Sequence, residues 1–230
     1  MPFWAHHAAY ATRYPIAFSK INESSMKTAE GILFIITAPS GTGKTSLVRA
    51  LLQTDPNLSL SISHTSRPPR SDEINGRDYH FISIQDFQRM QAHGEFLESA
   101  VVYGNLYGTS QKWINEAISS GKDILLEIDC QGAKQVRQFF PQSKGIFILP
   151  PSPDTLEKRL KARGQDNPEI IKQRLTAVRE EVSHICEFDY AIINDRLEDA
   201  LKDLICIVKA ERLKISCQMI KHHGLITQLE

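Results

Sequence analysis

Ala38-Pro39-Ser40-Gly41-Thr42-Gly43-Lys44-Thr45 is the stretch from which the fold is read. Before it, Ile32 to Thr37 is a short apolar run with the character of a buried parallel strand. After it, Thr45 to Gln53 puts Leu47, Val48, Leu51 and Leu52 on one face of a helix. Strand, glycine-rich turn and helix in that order make a phosphate-binding loop. The glycines let several backbone N–H groups converge on one phosphate, and the helix N-terminus adds partial positive charge. Lys44 then reaches the β- and γ-phosphates of a nucleoside triphosphate, and the Thr45 hydroxyl is placed for Mg²⁺. Ala38 replaces the first glycine of the motif. Alanine needs only ordinary backbone angles, so the loop is expected to survive. The loop leaves ATPases, GTPases and small-molecule kinases all open.

The same alternation continues outward. Leu60 and Ile62 read as a second strand, and residues 64–80, rich in Ser, Pro, Arg, Asp and Gly, as a long functional loop. Asp86 to His93 is a short helix ended by Gly94. Thr109 or Ser110 caps a helix carrying Trp113, Ile114, Ala117 and Ile118. Ile124 to Ile128 is an apolar strand ending at Asp129, with a helix from Ala133 and a strand from Gly145 to Leu149. Ser152 opens a helix that Gly164 ends, and Pro168 opens another toward Glu187. Tyr190 to Ile193 is the last core strand, and Leu197, Leu201, Leu204, Ile205 and Val208 line a long helix. Such alternation predicts an α/β fold, a parallel sheet with helices on both faces. The amphipathic C-terminal helix has two roles open to it, covering the core or joining copies into a homo-oligomer.

Composition removes other classes. The 230 residues, 41% hydrophobic and 23% charged, suffice for one sizeable core. Lys plus Arg and Asp plus Glu are both 27, so net charge gives no case for nucleic acid or an anionic membrane as partner. No apolar run approaches the roughly 20 residues of a membrane span. Cys130, Cys186, Cys206 and Cys217 form no CxxC pair and read as reduced packing residues of a cytoplasmic protein. Residues 1–25 carry Arg13 and Lys20 with no acid before Glu23, and Met26 stands just ahead of the first strand. A disordered extension, or a start placed too early, is favoured over a targeting segment.

A second anion site is built into the long loop. Ser63-His64-Thr65-Ser66-Arg67-Pro68-Pro69-Arg70 sets two arginines at a separation fixed by the proline pair. It leads to Asn75-Gly76-Arg77-Asp78-Tyr79-His80-Phe81, then Glu95-Phe96-Leu97-Glu98, then Tyr103-Gly104-Asn105-Leu106-Tyr107-Gly108-Thr109. Glu127-Ile128-Asp129-Cys130-Gln131-Gly132, Arg159-Leu160-Lys161-Ala162-Arg163-Gly164 and Ile193-Asn194-Asp195 follow. This series, in this order over about residues 31–215, closely resembles the guanylate kinases, P-loop nucleoside monophosphate kinases, in their bacterial form.

The resemblance implies a core (30–62, 110–150, 185–230), an inserted GMP-binding subdomain (63–109) and a helical lid (151–184). It implies transfer of a phosphoryl group from ATP to GMP, with dGMP left open, in purine nucleotide metabolism. It gives Ala38 to Thr45 and Asn194 to ATP, and Thr45 to Mg²⁺. It gives Arg67, Arg70 and Tyr79 to the GMP phosphate, Glu98, Ser63, Thr109 and Asp129 to the guanine, and Tyr107 to a further GMP contact. Lys44, Arg67 and the lid arginines Arg159, Arg163 and Arg174 would carry the chemical step. The chemistry agrees: guanine offers N1–H and N2–H₂ to a carboxylate such as Glu98, whereas adenine would leave that acid unpaired. Glu127 stands where some relatives carry Asp, which leaves its role open between Mg²⁺ and the GMP clamp. The alternative is a non-catalytic guanylate kinase-like module that binds protein partners. Such modules have eroded phosphate loops, whereas Gly41, Gly43, Lys44 and Thr45 are all intact here.

Overall fold

The computed structural model describes residues 30–102, 104–162 and 168–229, with side chains for all of these but 168–173. Arg163 and the segment 1–25 lie outside the described residues. Strand β1 (Leu33–Thr37) is buried from end to end and sits at the centre of a five-stranded sheet of order β2-β7-β1-β8-β9. The others are β2 (Leu58–Leu60), β7 (Asp123–Glu127), β8 (Lys144–Leu149) and β9 (Tyr190–Ile193), and every pairing is parallel.

Because successive side chains of a strand face opposite ways, β1 feeds two cores. Phe34 and Ile36 pack with Leu47, Val48 and Leu51 of α1 (Lys44–Thr54) and with Ala200, Leu204 and Val208 of α7 (Leu197–Arg212). Leu33 and Ile35 pack with Ile114 and Ile118 of α3 (Gln111–Ser119) and with Ala133 and Val136 of α4 (Cys130–Phe139). Each of these side chains larger than alanine contributes about 1.5–3 kcal/mol by leaving water. Helix α7 therefore covers the core, one of the two roles its pattern left open.

A second sheet of order β4-β3-β6-β5 lies between β2 and α3 in sequence. It joins β3 (His64–Thr65), β4 (His80–Phe81), β5 (Phe96–Val102) and β6 (Asn105–Ser110), with α2 (Ile84–Ala92) after β4. The stretch read as a loop from 64 to 80 thus has a strand at each end. Each is only two residues long and is fixed by partners distant in sequence, as when the Thr65 hydroxyl donates to the Leu106 carbonyl at 2.9 Å. Ser110, not Thr109, caps α3, accepting from the Trp113 N–H. Helices α5 (Pro153–Ala162) and α6 (Pro168–Ser183) follow β8, and Leu156 and Leu160 pack against Leu175 and Val178. Helices α8 (Ile215–Lys221) and α9 (His223–Leu229) bury no residue, so they carry no core-facing stripe that a sequence pattern could reveal. Among the described residues no helix is long and apolar enough to cross a membrane.

Candidate active site

The functional side chains of the core follow the carboxyl ends of its parallel strands, where open α/β sheets bind ligands. Beyond β1 the chain turns through Gly41 (φ 93°) and Gly43 (φ 91°) into α1. Both angles lie in the left-handed region that glycine alone adopts without strain. The Thr42 hydroxyl donates to the Pro39 carbonyl at 2.9 Å, closing the loop on itself. Asn194, buried just beyond β9, donates its amide to the Thr42 carbonyl at 2.7 Å. The structure therefore places Asn194 beneath the loop, in contact with its backbone.

Lys44 and Thr45 both face Glu127 at the end of β7. The Thr45 hydroxyl donates to a Glu127 carboxylate oxygen at 2.8 Å, and the Lys44 ammonium lies 3.9 Å from the same oxygen. Arg159 on α5 donates to three carbonyls, those of Thr42 (3.5 Å), Asn194 (3.0 Å) and Asp195 (3.1 Å). Arg174 on α6 reaches the Ser40 hydroxyl at 3.4 Å. Glu181, also on α6, is pushed up to about 7 by burial, against the pull of Lys44. The Cys130 thiol donates to the Glu181 carbonyl at 3.7 Å, tying α6 to the start of α4. Burial, reinforced by Glu181 and Asp129, pushes that thiol up to about 12, so it is a protonated packing group.

The second cradle lies in the inserted sheet. The Arg67 guanidinium donates through one nitrogen to both Glu73 oxygens (2.7 and 2.9 Å), through another to the Tyr107 hydroxyl (3.2 Å) and through the third to the Pro68 carbonyl (2.8 Å). Its central carbon lies over the rings of Tyr79 and Phe81, 5.5 and 5.9 Å from their centroids. Glu73 also accepts from the Arg70 N–H at 2.8 Å, and its hydrogen bond from Arg67 holds its carboxyl below the usual range. The Arg70 side chain is exposed. Tyr79 packs edge-on to Tyr107, and burial together with the nearby Glu127 charge pushes its hydroxyl up to about 12.

Glu98 is 4% exposed and takes the Thr109 hydroxyl at 2.5 Å, across the β5–β6 pairing. Burial, aided by the charge of Asp129, pushes its carboxyl up to about 7. Asp129 caps α4 by accepting from the Gly132 N–H at 2.8 Å. Ser63 is half-buried immediately before β3, and its carbonyl accepts from the His80 N–H at 2.9 Å. The sequence-predicted residues thus gather into two clusters, Lys44, Thr45, Arg159, Arg174 and Asn194 around the loop, and Arg67, Tyr79, Tyr107, Glu98 and Thr109 on the inserted sheet. Asp129 lies close enough for its charge to raise the carboxyls of both Glu98 and Glu181. Sequence reasoning missed Glu73, Glu181 and Gln135. Nothing local marks them, because each acts through a partner on another turn or element.

A parallel α/β sheet with an intact phosphate-binding loop at the end of its central strand defines the class, a P-loop nucleotide-binding protein. A family model described as guanylate kinase matches residues 30–211. The guanylate kinase of Nitrosospira multiformis is 61% identical over 204 residues, 89% of this chain and 97% of that protein. That of Nitrosomonas europaea is 57% identical over 196 residues, 85% of this chain and 98% of that protein. The crystal structure of guanylate kinase from Anaplasma phagocytophilum superposes with a TM-score of 0.68 at 30% identity, covering 81% of this chain and 88% of that one. The chain belongs to the guanylate kinase family.

Proposed function

We infer that this chain transfers the γ-phosphoryl group of ATP to GMP, giving ADP and GDP. The observation that carries the acceptor assignment is the buried Glu98–Thr109 pair beside Asp129, on the same side of the molecule as Lys44. A carboxylate held there accepts both N1–H and N2–H₂ of guanine, and an adenine would leave it desolvated and unpaired. Arg67, Arg70, Tyr79 and Tyr107 take the GMP phosphate, with Ser63 at the base. The attacking phosphate oxygen is already anionic, so the reaction asks for positioning and charge neutralisation rather than a general base. Backbone N–H groups of residues 38–45 and the Lys44 ammonium hold the ATP phosphates, and Arg159, Arg163 and Arg174 belong to the lid that excludes water.

The Thr45 hydroxyl and the Glu127 carboxylate suit Mg²⁺, since both are hard oxygen donors and already touch. Among the described residues no cluster of three His, Cys, Asp or Glu could hold a metal. A site of two side chains completed by substrate phosphates is the arrangement Mg²⁺ favours. Bound there, Mg²⁺ would neutralise charge on the β- and γ-oxygens. We place the enzyme in the cytoplasm, in the recycling of GMP.

The test is a coupled assay of ADP release with GMP, AMP, CMP and UMP offered in turn. GMP is expected to be used at least a thousandfold more efficiently than AMP, on the order of what a buried polar reader allows. Equal use of GMP and AMP would reject the reading. Lys44→Ala should keep the fold and lower GDP formation on the order of a thousandfold.

A further inference from the structure

We propose that Gly132 and Gln135 on α4 are positioning residues that hold the Glu98 carboxylate where it reads guanine. The inference rests on the reading of Glu98 as the base acceptor and adds the residues that set its place.

Glu98 belongs to β5, the edge strand of the inserted sheet, whereas Asp129 belongs to the core. A base lying between them is read correctly only if the two elements keep a fixed separation. Two contacts from one helix fix it. The Gln135 side-chain amide pairs with the backbone of Ser99, accepting from its N–H at 3.1 Å and donating to its C=O at 3.0 Å. In effect the amide takes the place of a neighbouring strand along the open edge of β5, one residue from Glu98. One turn earlier, Gly132 has no side chain where Glu98 comes in. A Cβ there would stand 2.8 Å from a Glu98 carboxylate oxygen and 3.3 Å from the carboxyl carbon. The other carboxylate oxygen is held by Thr109. The carboxylate is thus gripped on one side by its own sheet and seated on the other against bare helix backbone. The Ser99 hydroxyl accepts from Gln91 of α2 at 3.0 Å, which fixes the same residue from its own subdomain.

The Gly132 backbone is helical, with no positive φ. Alanine is a better helix former than glycine. The same Cβ would also stand 3.3 Å from the Cβ of buried Ile128, which must give by a few tenths of an ångström, so Gly132→Ala should keep the fold with only a small change in stability, and its effect on guanine reading must come through the displaced carboxylate. Gln135→Met keeps the length of the side chain and removes both bonds to Ser99.

The experiment uses the full-length chain and compares wild type, Gly132→Ala, Gln135→Met and Glu98→Gln. It measures KM for GMP and for ATP, kcat, Tm, and the preference for GMP over IMP. IMP keeps N1–H and O6 but lacks the 2-amino group, so this preference reports the alignment of Glu98. Gly132→Ala and Gln135→Met should each raise KM for GMP on the order of tenfold, leave KM for ATP within about twofold, and lower the GMP-over-IMP preference severalfold. Gly132→Ala should do so with a Tm within a few degrees of wild type. If both leave KM for GMP and the preference as in wild type while Glu98→Gln abolishes the preference, the positioning role is overturned and the base site stands. If Glu98→Gln itself leaves the preference intact, the base reading falls first and takes this one with it. A loss of Tm in Gln135→Met with unaltered GMP kinetics would mark a purely structural bond and also overturn the proposal.

Discussion

At the scale of single residues, Glu98 carries the largest conflict between stability and function. Its carboxyl is raised from the ordinary 4.5 to about 7, chiefly by burial. The folded chain then binds this proton more tightly than the unfolded chain does. The contribution of Glu98 to stability therefore falls as pH rises from about 4.5 to about 7 and stays at its lowest above that. Guanine binding needs the ionised form, so kcat/KM for GMP should climb as pH passes through about 7, and that for a GMP-independent measure such as ATP binding should not. Glu98→Gln removes the buried charge. It should raise KM for GMP a hundredfold or more, on the order expected when a polar reader is lost. It should also raise stability at pH 8 by up to about 3 kcal/mol, a gain that vanishes near pH 4.5. Thermal unfolding of both proteins across that range checks the sign. The sequence around this residue shows an acid between Leu97 and Ser99 and cannot say which face of the strand is covered. What covers it is α4, more than thirty residues further on, so only the family resemblance pointed to it.

At the scale of elements, the phosphate loop was legible because all it needs is local: an apolar strand, two glycines and a helix in immediate succession. Its bracing was not. Asn194 supports Thr42 across 152 residues of sequence, and Arg159 does so across 117. Helix α5 also touches the loop through packing, since a Cβ on Gly41 would meet Leu156 and Leu160 at 2.9 Å. The short strands β3 and β4 were hidden for the same reason, as two-residue strands have no periodicity of their own. Asn194→Ala removes the nearer of the two side-chain donors to the Thr42 carbonyl and leaves only the long contact from Arg159, which costs about 1 kcal/mol. Urea unfolding should show that loss. KM for ATP should rise with KM for GMP nearly unchanged, because the inserted sheet makes no use of Asn194. Gly43→Ala should act on the same site more severely. Its φ is strained for alanine, and the new Cβ would stand 2.6 Å from the Asn194 amide nitrogen.

At the scale of the whole molecule, the two ends of the central sheet have been given different tasks. The carboxyl ends of the strands hold the loop, Glu127, Asp129 and the turn from β8 into α5. The amino ends are closed by the last core helix. Arg212, in the final turn of α7, donates to Asp55 beyond α1 and to Asp123 at the start of β7, both at 2.6 Å. The other oxygen of Asp123 accepts the Ile32 N–H at 2.7 Å, so a single guanidinium ties together the entries to β1, β2 and β7. All three charged side chains are largely shielded from water, with Arg212 26% exposed and the acids 16% and 12%. Removing the guanidinium leaves two partly desolvated carboxylates with backbone donors but without their counter-charge. Arg212→Met should therefore cost roughly 3 kcal/mol and lower Tm by several degrees. Because the cluster lies at the end of the sheet away from the phosphate-binding loop, kcat and both KM values measured well below Tm should stay within about twofold of wild type, as expected for distant, uncoupled sites. A parallel fall in kcat would mean that the sheet transmits strain from one end to the other, and the separation of stability from catalysis along its strands would have to be given up.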